Sequence, residues 1–178
     1  MKGDLVIKMR EKKRCQWPEK SELMVKYHDE EWGVPLHDDK KLFEFFVLDA
    51  FQAGLSWSTI INKRENFSRA FHYFDARKIA RYRKKDFNRL MKDAGIVRNR
   101  LKIESTITNA QKFLEIQKEF GSFDKYIWQF TNHKTICNKF KSLKDLPAKT
   151  KESDAMSADF KKRDFRFCGS TICYAFMQ

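Results

Sequence analysis

Apolar positions along this chain recur at intervals of three and four residues, and sustained strict alternation is absent. That period is helical. HDDKKLFEFFVLDAFQAGL, residues 37–55, predicts a helix opened by Asp38 or Asp39 as N-cap. WSTIINKRENFSRAFHYF predicts a second, with Ile60, Ile61, Phe67 and Phe71 near helical spacing. Asp75 can cap the short DARKIARY, and KKDFNRLMKDAG predicts a helix with Phe87, Leu90 and Met91 on one face, stopping at Gly95. IVRNRLKIESTITNAQKFLEIQKEFG predicts a long helix ending at Gly121, and SFDKYIWQF another capped by Ser122. A late helix begins at DAMSADFKKRDF after the polar stretch AKTKES, and GSTICYAFMQ starts one more. Six glycines and three prolines are too few to punctuate many short strands, so the pattern gives an all-α fold. Residues 1–13 read as a basic arm and residues 14–178 as a single helical domain.

Composition adds a partner class. Hydrophobic residues make up 42% of the chain, enough for a core, and no apolar run approaches the ~18 residues of a membrane span. The basic N-terminus lacks the apolar segment of a signal peptide, so the expectation is a soluble, cytoplasmic protein without a membrane partner. Thirty-seven Lys and Arg against 24 Asp and Glu leave a net charge of +13. A field of that sign and size favours polyanions, nucleic acid first, although charge can also serve solubility alone. Cys15, Cys137, Cys168 and Cys173 show no CxxC spacing and read as free buried thiols.

Three constellations can carry chemistry. DFNRLMKDAGIVRNRLKIESTI, residues 86–107, is a helix, a glycine-containing turn and a second helix. Such a hairpin can bind a DNA phosphate on backbone N–H groups, with Gly95, Arg98, Asn99 and Arg100 at the turn. It can equally be a plain connector. Trp17, Tyr27, Trp32 and Trp57 offer flat faces for an extruded base, or for a core. Asp49, Gln52, Ser56 and Thr59 share one side of a continuous helix, as a solvated stripe or as the polar wall of a pocket. Gly54 inside that helix costs about 1 kcal/mol relative to alanine and signals a bend or close packing. Lys161, Lys162 and Arg163 are weaker candidates for phosphate contact, since a charge run is usually a solvated face.

Taken together, RCQW, YHDEEWGVP, KLFE, QAGLSW, KRENF, FHYFD, DAGIVRNRLKI and SDAMSADFKKRDFRFCGSTICYAFMQ resemble the DNA-3-methyladenine glycosylase I family, collinearly from Arg14 to Gln178. The resemblance implies a helix-hairpin-helix glycosylase fold of two closely packed helical lobes. It also implies a monofunctional base-excision repair hydrolase that flips alkylated purines, above all 3-methyladenine, out of double-stranded DNA; a monomer is the default expectation. Trp57 matches the tryptophan that stacks on the base, Tyr27 the tyrosine that hydrogen-bonds in the pocket, and Trp17 and Trp32 its aromatic surroundings. Asp49 falls where the family has a glutamate that contacts the base, and so becomes the candidate catalytic carboxylate. Asp49, Ala50, Phe51 and Met24 depart from the usual residues, which leaves open a shifted alkylpurine specificity or a catalytically silent DNA-binding relative. The chemistry the family performs requires no cofactor, but the family carries a structural zinc. Cys15 and His28 match two of its ligands. The remaining His and Cys, beyond the YxFMQ motif, are absent from a sequence that ends at Gln178, so the expected site is incomplete. Cys173 matches a position that does not bind zinc, and Asp124, beyond the hairpin, reads as part of a helix N-terminus.

Overall fold

A computed structural model describes residues 14–18 and 21–178; the basic arm, residues 1–13, lies outside the described residues. Every regular element among the described residues is helical. In order these are α1 (Glu22–Glu30), α2 (Asp39–Gln52), α3 (Trp57–Ala70), α4 (Ala76–Ile79), α5 (Lys84–Lys92), α6 (Arg100–Phe120), α7 (Phe123–Trp128), α8 (Lys151–Lys162) and α9 (Ser170–Met177), with three short 3-10 turns among them. The α1 helix, which the apolar period does not single out, buries only Met24.

The centre is α2. Leu42, Phe43, Phe46, Val47, Leu48, Asp49, Ala50 and Phe51 are all buried, so this helix has almost no wet side. It packs on α3, α6, α7 and α9. Phe46 alone meets the rings of Phe123, Phe160, Phe165 and Phe176. Full burial of such a side chain contributes about 1.5–3 kcal/mol, so these aromatics dominate the core. Most of the buried apolar side chains form one continuous cluster from Leu42 to Cys173.

The N-caps lie where short polar side chains predict them. Asp38 accepts from the Lys41 amide, Asp75 from those of Arg77 and Lys78, and Ser122 from that of Lys125. Asp39, the other candidate at the start of α2, instead accepts from the amides of Phe123 and Asp124 and ties α2 to the N-terminus of α7. Gly121 ends α6 in the left-handed conformation, at φ 85°.

Four local expectations are corrected. The helix expected to run on past Gly54 ends at Gln52, and Gly54 sits in the turn at φ 77°, a conformation that favours glycine. Because α3 starts afresh with Ser56 as its cap, Asp49, Gln52, Ser56 and Thr59 do not share one helix face. The α5 helix stops at Lys92, before Gly95. A Cβ at Gly95 would lie 2.9 Å from the Asp93 carboxylate and 3.1 Å from Cβ of Asn66, so close approach, not helix termination, demands this glycine. Finally α8 begins at Lys151, because Thr150 and Ser153 cap each other reciprocally inside the polar stretch.

Candidate active site

A cavity of about 670 Å³ opens beside α2. The end of α1 and the segment after it supply Tyr27, Glu31 and Trp32, and α2 supplies Leu42, Phe45 and Asp49. Segment 127–140, the first half of α8 and the end of α9 close the other sides.

Asp49 is the informative residue. It is 5% exposed, lines the cavity, and has no hydrogen-bond or ion-pair partner among the described residues. Burial raises its pKa well above the ordinary aspartate range. The solvated stripe is therefore excluded and the pocket wall stands. A carboxylate this buried and without a partner costs stability, and such a cost points to a ligand that supplies the missing charge or donor.

The four aromatics are drawn together. Tyr27 and Trp57 have ring centroids 5.3 Å apart, and Trp17 lies 5.3 Å from Trp32 and 6.2 Å from Tyr27. Only Tyr27 and Trp32 of the four line the cavity; Trp57 packs against Tyr27, and its buried Nε1 has no hydrogen-bond partner. Burial first, then the nearby charges of Asp49 and Glu31, push the Tyr27 phenol upward, so at neutral pH it is a protonated donor. Arg64 holds this corner by donating to Glu31 at 2.7 Å and to Glu44 at 2.7 Å.

The hairpin exists as the sequence predicts, between α5 and α6. Arg98, Asn99 and Arg100 are exposed there. Asn99 accepts from the Lys102 amide as the α6 cap, so its side chain is occupied. Arg100 donates to Glu104 at 3.0 Å, an exposed pair weak enough to yield to a phosphate. Gly95 is braced from behind, since Lys63 Nζ donates to the carbonyls of Ala94 and Gly95. Of the late basic run, Arg163 is committed to Glu119 and Asp159 and lies over the Phe120 and Tyr126 rings, while Lys161 and Lys162 stay exposed. Asp124 pairs with His37 at 2.8 Å and does not line the cavity.

Cys15 and His28 lie side by side: the Cys15 amide donates to His28 Nε2 at 3.4 Å, and His28 Nδ1 meets Asp29 at 3.0 Å. A structural zinc takes four donors. Among the described residues no group of three or more His, Cys, Asp or Glu gathers, so these residues do not fit a closed zinc site. Burial pushes the Cys173 thiol up to about 12, and its Sγ donates to the Cys168 carbonyl. Cys137 is exposed and Cys15 only half-buried, contrary to the expectation of four buried thiols.

Sequence reasoning did not assign Glu31, Trp128, Lys134 or Glu152 to the cavity. Glu31 had a signal in YHDEEWGVP, but segment 131–146 has no apolar period that could have placed it.

An all-helical fold with a hairpin between α5 and α6 and a cavity lined by Asp49 has the form of a DNA glycosylase of the helix-hairpin-helix class. The methyladenine glycosylase family matches residues 17–178. The chain is 46% identical over 165 residues to DNA-3-methyladenine glycosylase 1 of Escherichia coli (strain K12), covering 93% of this chain and 88% of that protein. A crystal structure of 3-methyladenine DNA glycosylase I superposes with a TM-score of 0.90 at 43% identity, covering 93% of this chain and 91% of the other. The Staphylococcus aureus enzyme, solved to explain 3-methyladenine recognition, gives 0.88 at 34% identity over 92% and 87% of the two chains. The chain belongs to the methyladenine glycosylase family.

Proposed function

We propose that this protein hydrolyses the N-glycosidic bond of 3-methyladenine in double-stranded DNA, after flipping the base into the cavity. The observation that carries the reading is Asp49, buried and without a partner on a cavity wall. Adenine methylated at N3 within DNA is a cation. With Glu31 already paired to Arg64, the cavity presents Asp49 and Glu152 against one lysine, Lys134, in a protein whose net charge is +13. A local acidic site in a basic molecule suits a cationic base carried by a polyanion.

The steps follow from charge. Lys and Arg at the surface grip phosphates without reading sequence. Extrusion costs a few kcal/mol, least for a poorly stacked lesion. In the cavity Asp49 accepts from the exocyclic amine, the Tyr27 hydroxyl donates, and the aromatic walls exclude water from the base. The N9–C1′ bond then breaks, and its electron pair passes into the purine and cancels the positive charge. Water adds its oxygen to C1′ and loses a proton to solvent, so free 3-methyladenine and an abasic site remain. No cofactor enters these steps, and the protein acts as a cytoplasmic monomer.

The test is base release from methylated duplex DNA by wild type and Asp49→Asn. Release of 3-methyladenine that drops about 10²-fold in the variant supports the reading. A well-folded wild type that releases no purine defeats it.

A further inference from the structure

The cavity is larger than the base placed in it. A volume of about 670 Å³ suits a drug-sized ligand, and one methylated purine leaves much of it empty. Its walls are graded. On its lining Asp49, Leu42 and Met156 are 5%, 4% and 1% exposed, whereas Ile136 and Phe140 are 51% and 43% exposed. Asp49 thus lies at the buried end, and the exposed lining carries the large apolar side chains Ile136 and Phe140 along with the polar Lys134, Thr135 and Asn138. Aspartate has the shortest carboxylate side chain, so Asp49 acts from that buried end. In adenine the ring atom N3 lies directly across the six-membered ring from the carbon that bears the amine. An amine turned to Asp49 therefore turns the N3 substituent away from the floor, toward the open part of the cavity. Leu36 and Trp128 line that cavity as well, and the Trp128 indole is fixed by donating to the Leu36 carbonyl at 3.0 Å.

We propose that the cavity accepts N3-alkylated adenines whose substituent is larger than methyl, an aliphatic or benzyl-type group seated against Leu36, Trp128, Ile136 and Phe140. The inference rests on the reading of the site as a base pocket and names the substrate class that this cavity takes. Apolar area buried by the substituent offsets the loss of stacking in the duplex, and the bond cleaved is unchanged. Met156, buried on the lining, adds a flexible wall that can repack around different bases.

The experiment measures single-turnover release from two duplexes, one carrying N3-methyladenine and one N3-benzyladenine. Wild type is expected to release the benzyl base within about tenfold of the rate for the methyl base. Ile136→Asn and Phe140→Asn, both at exposed positions, are expected to slow benzyl release about tenfold more than methyl release. Normal methyl release with benzyl release more than about 100-fold slower overturns the inference and leaves the glycosylase reading intact. Equal slowing of both bases in the two variants also overturns it. Folded protein that releases neither base defeats the glycosylase reading, and this inference with it.

Discussion

At the scale of the residue, Asp49 decides most. Burial raises its pKa, so the folded protein holds a proton that the unfolded chain gives up. Between the ordinary aspartate range and the raised folded value, the unfolded state binds fewer protons than the folded one. Stability therefore falls as pH rises through that window. Asp49→Asn removes the penalty: its melting temperature should exceed that of wild type at neutral pH, and the difference should vanish below the ordinary aspartate range. Thermal scans across pH read this directly, and an Asp49→Asn protein less stable than wild type at neutral pH would contradict it. The same substitution slows base release, so site and stability pull against each other at one position.

Elements are held by contacts that their own sequences do not reveal. Lys102, on α6, is 5% exposed, and its Nζ donates to the carbonyls of Phe51 and Ala53 at the end of α2. Lys102→Met leaves two buried carbonyls unpaired and should cost about 1–3 kcal/mol in denaturant unfolding. The hairpin has its own constraint at Gly95. Gly95→Ala forces a Cβ against Asp93 and Asn66, and overpacking of this kind costs about 1–3 kcal/mol. Since the hairpin backbone must shift to make room, affinity for undamaged duplex DNA should fall as well. A variant with unaltered DNA affinity and unaltered stability would show that the glycine is dispensable.

Across the whole molecule the charge acts collectively. Binding to undamaged DNA should weaken linearly in log Kd against log salt. Arg98→Ala and Arg100→Ala should each lower that slope by about 1 if each side chain meets one phosphate. Fluorescence anisotropy at several salt concentrations measures it, and slopes equal to wild type in both variants would remove the hairpin from the interface. No helix among the described residues is long and apolar enough to cross a membrane.

The sequence by itself determined the helices other than α1, most of their caps, the hairpin and the family, because those depend on local period, on short polar side chains and on collinear motifs. It also singled out Asp49, Tyr27, Trp32 and the two neighbours Cys15 and His28. It misjudged the region around Gly54, where a helical pattern continues across a break that only a left-handed glycine makes. It could not tell a wet Asp49 from a dry one, since burial of α2 on nearly every side depends on α3, α6, α7 and α9 arriving from distant parts of the chain. The far wall of the cavity, from Thr131 to Phe140, was likewise invisible, because a segment without period has no position until the helices on either side of it are packed.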